Sequence, residues 1–251
     1  MKISVITPSF NSCDFIGNTI ESVINQTLVS WEMIIVDDCS TDNSVSVTKS
    51  YIEKDPRIKL IQLKENSGAA VARNTAIEAA QGRYIAFLDS DDLWLPDKLE
   101  KQLAFMQQND IAFSFSAYHK IDEEGVNIGK VDVPDKITYH QLLKCCVIGC
   151  LTAMYDTEKI GKVYMPLIRK RQDFGLWLRI LKKCDMAYGI DQSLAKYRVR
   201  NGSISSNKLK AAQYNWKLYR EVEKLNLFQA LYYFMHYAIN GVLRSWFKRK
   251  I

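Results

Sequence analysis

Short apolar runs alternate with segments of helical period through the first 118 residues, and this alternation leaves the chain few folds to choose from. Residues 3–6, 33–36, 58–63, 84–88 and 111–118 read as strands. Residues 14–26 carry Phe15, Ile16, Ile20, Val23 and Ile24 at helical spacing. Asp42, Asn43 and Ser44 offer a start for a helix over 45–52. Ser67 and Gly68 open an Ala-rich helix over 69–80 that stops at Gly82, and Pro96 suits the first turn of a helix reaching about Gln107. Strand and helix in strict turn predict an α/β fold, an open and mainly parallel sheet with helices on both faces. Beyond Ile121 the pattern loosens. Residues 122–125 form a turn, and 173–183 predict a helix with Leu176, Trp177, Ile180 and Leu181 on one face. Residues 207–224 predict an amphipathic helix, and 225–243 run 19 residues without a charge.

In a sheet of this kind ligands bind beyond the carboxyl ends of the strands. The residues there are Thr7 to Asn11, Asp37 to Ser40, Glu65 to Gly68, and Asp89-Ser90-Asp91-Asp92. Three carboxylates in four residues repel one another unless a cation or hydrogen-bond donors sit among them. A hard divalent ion bound by one or two carboxylates plus substrate phosphates answers that need; so does a helix N-terminus just downstream, near Asp97. Asp37-Asp38 reads either as turn chemistry or as an acceptor for a base or sugar. Asn66-Ser67-Gly68 offers backbone N–H groups to an anion, or a plain helix start. Arg73 is the only charge between Gly68 and Glu78, which suits it to face the carboxylate loops. Arg169-Lys170-Arg171 is a solvated loop or a phosphate contact. Asp173 caps a helix or stands as a general base.

Other chemistries are poorly supported. His119, His140 and His236 show no ligand spacing, and no nucleophile motif accompanies them. Cys13, Cys39, Cys145, Cys146, Cys150 and Cys184 make neither a zinc site nor a disulfide framework; the cluster Cys145, Cys146 and Cys150 reads as small core hydrophobes, and the expected compartment is the reducing cytosol. Residues 1–8 lead straight into a strand, so no signal peptide is expected. From residue 207 onward nine Lys or Arg face two Glu, while the rest carries 25 basic and 26 acidic residues. A near-neutral body argues against nucleic acid as a partner, and a basic tail points to something anionic.

Taken together, Ile3 to Asn11, Ile35 to Asp42, Asn66-Ser67-Gly68 with Ala72-Arg73-Asn74, Phe87 to Asp92 with Trp94 and Pro96, and Gln172-Asp173 with Leu176-Trp177 resemble family 2 glycosyltransferases. The resemblance runs from Ile3 to about Asn207 and is greatest to the short bacterial enzymes of capsule, O-antigen and teichuronic acid synthesis. It implies a GT-A fold, a nucleotide-sugar donor, a divalent metal (Mn or Mg) and inversion at the anomeric carbon. By position it implies that Pro8, Phe10 and Asp38 frame the base, with Asp38 accepting from a uracil N3–H, and that Arg73 faces the base or phosphates. Asp89 and Asp91 are the ends of the D-x-D motif, Asp89 on the ribose and Asp91 on the metal. Asp92 supports the loop or touches the donor sugar, and Asp173 matches the catalytic aspartate, which takes the acceptor proton; Arg171, with Arg169 and Lys170, and Arg200 are candidates for the phosphates that the resemblance itself does not assign. Two departures stand out: Gln172 where many members have Glu, which leaves one carboxylate rather than two, and no His in the stretch from Tyr197 to Ser205.

The expected layout is a catalytic domain over 1–206, with a nucleotide-binding half to 118 and an acceptor half after it, and a helical tail over 207–251. Aromatic and basic residues in the tail suit the face of an anionic membrane, where the chain would sit peripherally on the inner side. Packing on the catalytic domain or on a second copy is an alternative, as is a span. A lipid-linked saccharide acceptor would explain a membrane-facing tail. Against the transferase stand a sugar nucleotidyltransferase, which lacks its Gly-rich loop here, and a non-catalytic scaffold on the same fold. Retention of Asp38, Asp89, Asp91 and Asp173 opposes the scaffold.

Overall fold

A computed structural model describes residues 2–200 and 208–247. The first half follows the alternation: β1 (Ile3–Ser9), α1 (Ile16–Ile24), β2 (Trp31–Asp37), α2 (Ser44–Ile52), β3 (Ile58–Gln62), α3 (Ala69–Ala79) and β4 (Tyr84–Phe87). Then come β5 (Leu93–Trp94), α4 (Lys98–Gln108), β6 (Phe113–Ile121), β7 (Asn127–Val131), β8 (Lys136–Thr138) and α5 (Tyr139–Lys144). The chain continues with β9 (Met154–Asp156), α6 (Thr157–Ile160), α7 (Gln172–Cys184) and β10 (Met186–Arg198). The tail holds α8 (Lys208–Lys217), a π-helical turn (Leu218–Val222) and α9 (Leu227–Phe247).

One mixed sheet runs through the molecule in the order β3-β2-β1-β4-β9-β6-β10-β5, with β7 on β6 and β8 on β10. The first four strands are parallel, and β9 enters antiparallel between β4 and β6. From β1 the chain steps outward to β2 and β3, then returns to place β4 on the other side of β1. The gap between the carboxyl ends of β1 and β4 is therefore the point where strand order reverses, the crevice in which such sheets bind ligands.

Side chains alternate across the sheet. Trp31, Met33 and Ile35 of β2 join one buried cluster with α1, α2 and α4 residues; Ile34 and Val36 join the other, with α3, α5 and α7. Ala70, Ala72 and Ala76 let α3 lie close on its face of the sheet, all buried. The tail belongs to this second layer: Leu218, Tyr219 and Ala230 are buried in its cluster. The expected boundary at 206/207 falls outside the described residues.

At the amino end of the sheet Glu32 is buried. Its carboxylate accepts from Ser4 Oγ (2.7 Å), the Gln81 N–H (2.8 Å), Lys59 Nζ (2.8 Å) and Lys2 Nζ (3.0 Å). Burial opposes ionisation, but these donors outweigh it and bring the carboxyl down to about 2. A depressed carboxylate stabilises the fold above its unfolded pKa of about 4.5 and loses that contribution as pH falls toward 2. Lys2 and Lys59 are partly exposed, which screens their share. Glu32→Gln is expected to cost about 1–3 kcal/mol at pH 7, with the gap to wild type closing below pH 3 in urea titrations.

Candidate active site

Four loops meet at the β1/β4 crevice. Ser9 ends β1, and Phe10 follows with 48% of its surface exposed, while Pro8 is buried inside the strand. Beyond Phe10, Asn11 has φ +45 and Cys39 φ +64, so both turns take left-handed backbone. They are stitched together: the Asn11 N–H donates to Ser40 Oγ, and Asn11 Oδ1 accepts from the Thr41 N–H. Asp37 holds its own turn by accepting from the Ser40 N–H and hydroxyl.

Asp38 is buried, and its oxygens accept from the N–H groups of Ser67 (2.7 Å) and Gly68 (2.8 Å). The Asn66 amide donates to its carbonyl. Gly68 takes φ +89, a conformation that L side chains rarely adopt, and this lets its N–H turn onto the carboxylate as α3 begins. The 66–68 segment therefore spends its N–H groups on Asp38 rather than on an external anion. Each carboxylate oxygen keeps a further lone pair for a donor such as a base N–H.

The loop after β4 carries the carboxylates. Arg73, buried on α3, donates Nη2 to Asp89 Oδ1 at 2.5 Å. Burial opposes its charge, but Asp89 and, to a lesser extent, Asp173 hold it firmly cationic. Its Nη1 lies 2.8 Å from Gln172 in the amide orientation that satisfies both of that residue's ends, the nitrogen donating to Ile168 O at 2.8 Å. One guanidinium thus joins the D-x-D loop to the start of α7, where Asp173 sits in the first turn.

Asp91 pairs with Arg200 Nη1 at 3.3 Å. Burial pushes its carboxyl up, Asp89 adds to this, and Arg200 offsets part. Asp92 is fully buried; desolvation, Asp91 and Asp89 push it up strongly. Its Oδ1 accepts from the Arg198 N–H at 2.8 Å, and Oδ2 has no partner. The loop is braced by Thr19, whose hydroxyl lies 3.0 Å from Ser90 O and 2.9 Å from Asp92 O. Arg198 braces it too, donating Nε to Asp91 O and Nη1 to Asp122 O and Glu123 O. Arg198 and Arg200 both lie over the Phe15 ring, at 5.0 and 4.7 Å from its centroid.

Among the described residues no group of three or more His, Cys, Asp or Glu encloses a metal ion. The donor set still fits a hard divalent cation of the kind that takes one or two carboxylates and completes its shell with diphosphate oxygens and water. Asp89 and Asp91 crowd each other, Arg73 and Arg200 each reach one of them, and the buried Asp92 behind them has an unpartnered oxygen, so the loop presents carboxylate oxygens that its own donors leave unfilled.

The sequence pointed to Pro8, Phe10, Asp38, Arg73, Asp89, Asp91, Asp92, Asp173 and Arg200; the structure sets Pro8 and Phe10 at the end of β1, Asp38 after β2, Asp89, Asp91 and Asp92 after β4, Arg200 after β10, Arg73 in the second turn of α3 and Asp173 in the first turn of α7. Arg171 is placed differently from the rest: its Nη2 donates to Tyr237 Oη of α9 at 2.8 Å. Sequence reasoning missed Thr19, Arg198 and the Arg73 contact of Gln172. Arg198 stands two residues before Arg200 in the same basic run, a usable signal; Thr19 offers none.

A mixed, mainly parallel sheet with helices on both faces, a carboxylate loop at its reversal point and an arginine joining that loop to Gln172 at the start of α7 make an α/β fold with its ligand crevice at the strand ends. The profile of the family described as Glycosyl transferase family 2 matches residues 4–157, and the chain belongs to that family. It is 52% identical over 241 residues, 96% of each chain, to a protein named as a teichuronic acid biosynthesis glycosyltransferase, TuaG, of Bacillus subtilis (strain 168). It is 39% identical over 249 residues, 99% of this chain and 96% of the other, to the UDP-Glc:alpha-D-GlcNAc-diphosphoundecaprenol beta-1,3-glucosyltransferase WfgD of Escherichia coli. Among solved structures, S. aureus TarS 1-349 in complex with UDP-GlcNAc shares the fold, with a TM-score of 0.72 at 22% identity, covering 88% of this chain and 67% of that one. The chain is a glycosyltransferase, as the motifs implied, and the GT-A expectation holds.

Proposed function

We propose that this enzyme transfers a sugar, with inversion, from a UDP-sugar to a saccharide carried on a lipid diphosphate, in the assembly of a bacterial surface polysaccharide. The observation that carries the reading is the Arg73 bridge, which ties the nucleotide-side carboxylate Asp89 to the turn that bears Asp173. The names of the B. subtilis and E. coli relatives support the polymer class, the UDP donor and the lipid-linked acceptor.

In this mechanism Pro8 and Phe10 flank the uracil and Asp38 accepts its N3–H. The same N3–H exists on thymine, so base choice rests on the loops around Asp38 as well. Asp89 takes the ribose hydroxyls, with Arg73 holding it in place. Asp91, supported by Asp92, would hold a divalent ion, which when bound neutralises charge on the diphosphate. Asp173 accepts the proton of the acceptor hydroxyl as that oxygen attacks the anomeric carbon from the face opposite the diphosphate. The bond from that carbon to the diphosphate oxygen breaks, and the nucleoside diphosphate leaves with the electron pair. Arg200, already on Asp91, is placed to take up a phosphate.

The acceptor implies a membrane, and α9 suits its surface. Phe228, Leu231, Tyr232, Met235 and Ile239 are exposed along one side, α9 carries no acidic residue, and the tail as a whole is strongly basic. No described helix is long and apolar enough to cross a bilayer, so the spanning alternative loses its support.

Calorimetric titration with UDP, GDP and dTDP, with and without Mn²⁺, tests the site. Heat from UDP only in the presence of Mn²⁺ is expected, and no metal-dependent nucleotide binding would overturn the reading. Flotation with vesicles containing phosphatidylglycerol tests the tail: the full chain is expected to float with them, and Met235→Glu to weaken this. Recovery of wild type at the bottom of the gradient would remove the membrane from the proposal.

A further inference from the structure

The turn that carries Asp173 is held largely by the tail. Arg171, just before α7, has φ +64, in the sparsely populated left-handed region, and such a residue persists only where its surroundings fix it. Its carbonyl accepts from the Gly175 N–H at 3.0 Å and closes the first turn. Its side chain reaches to α9, donating Nη2 to Tyr237 Oη at 2.8 Å, with the guanidinium 5.7 Å from the Tyr237 ring centroid. One residue beyond Asp173, Phe174 meets the Tyr219 ring edge-on at 6.4 Å between centroids. At Gly175 an added Cβ would stand 3.1 Å from Leu218 Cδ1 and 2.5 Å from Pro166 Cγ, so backbone and tail are already in contact there. Gln172 is tied to Arg73 from the other side.

Residues on both sides of Asp173 are thus clamped, three of them by the tail. The tail in turn is fixed to the body by the same inward side of α9 and the π-helical turn. Tyr233 Oη lies 2.7 Å from His140 Nδ1, Tyr219 Oη donates to Leu143 O at 2.6 Å, and Asn240 reaches Lys144 O.

We propose that Tyr237 is a positioning residue for the transfer step: by anchoring Arg171 it fixes the left-handed turn that aims Asp173. This rests on Asp173 being the base. The tail is then part of the catalytic centre, and the apolar outward side of α9 and the aim of the base are two sides of one helix.

Displacing a catalytic group by about 1 Å costs on the order of 100-fold in rate, and loss of one of several clamps should cost about 10-fold. In the full chain, Tyr237→Phe is expected to lower kcat for UDP release about 10-fold with donor KM unchanged. Amide hydrogen exchange should rise within residues 171–176 and stay unchanged over 177–184. Arg171→Ala should give a similar loss, and the double variant no further one. A wild-type kcat in Tyr237→Phe overturns the proposal; so does a loss that appears in donor KM and thermal stability alone, or one that adds to that of Arg171→Ala. Asp173→Asn in the same series separates the two ideas. If it keeps its activity, the base assignment falls; if it is inactive while Tyr237→Phe is normal, only the positioning role falls.

Discussion

Asp173→Asn is expected to lower kcat by about 10²–10⁴-fold, the range that a positioned general base contributes. Donor binding should stay within about twofold of wild type, since the base acts on the acceptor hydroxyl rather than on the nucleotide. Two features make this variant informative. Gln172, whose amide is no base, stands beside it, so no neighbouring group on that turn inherits the proton. Asn is also isosteric, so the first turn of α7, closed by Arg171 and Gly175, keeps its geometry. The check is steady-state UDP release with donor and acceptor varied separately, together with calorimetry of UDP. A variant that retains more than a tenth of wild-type kcat would show that the acceptor proton leaves by another route.

The parallel half of the fold was legible because its strands and helices alternate in unbroken apolar runs, and a strand buried on both faces writes itself as such a run. In the second half the helix over 173–183 was legible as α7, and the turn at 122–125 lies between β6 and β7, but the strands were not. β9 is three residues long, and β10 spends its hydrogen bonds on β5, β6 and β8 with two register shifts against β6, so no clean period survives in its sequence. For the site, spacing placed the carboxylates but not their partners. Asp38 is used by the N–H groups of Ser67 and Gly68, pairings across 29 and 30 residues that only the fold reveals. Gln172 looked like the loss of a charge; in the structure its amide receives Arg73, a cation already committed to Asp89. The tail showed its basic charge and aromatic content, but an amphipathic helix reads the same whether its apolar side meets lipid or protein. Here Tyr233, Phe234 and Tyr237 turn to the body while Leu231, Met235 and Ile239 face out, so the helix does not spend all its apolar surface on the protein.

Asp91→Asn is expected to move stability and donor binding in opposite directions. In the free enzyme Asp91 is a poorly solvated carboxylate, and burial and Asp89 both disfavour its charge. Behind it Asp92 is buried with one oxygen unpartnered. Arg200 offsets part of this, but at 3.3 Å and 38% exposed it is a weak pair. Removing the Asp91 charge should therefore relieve more repulsion than it loses in attraction. A gain of about 1 kcal/mol follows, or about 2–4 °C in Tm for a chain of this size. The same substitution removes the carboxylate proposed to hold the divalent ion. UDP affinity in Mn²⁺ should fall by about 2–4 kcal/mol, on the order of 30- to 1000-fold, while in chelator neither variant nor wild type should give heat with UDP. Such a trade, fold stability given up for a site that is complete only with its ligand, is what a functional carboxylate cluster should show and what a structural cap should not. Differential scanning calorimetry of the free protein and titration of UDP with and without Mn²⁺ measure both halves. A lower Tm with unchanged UDP binding would make Asp91 a structural residue and return the loop to the helix-capping reading.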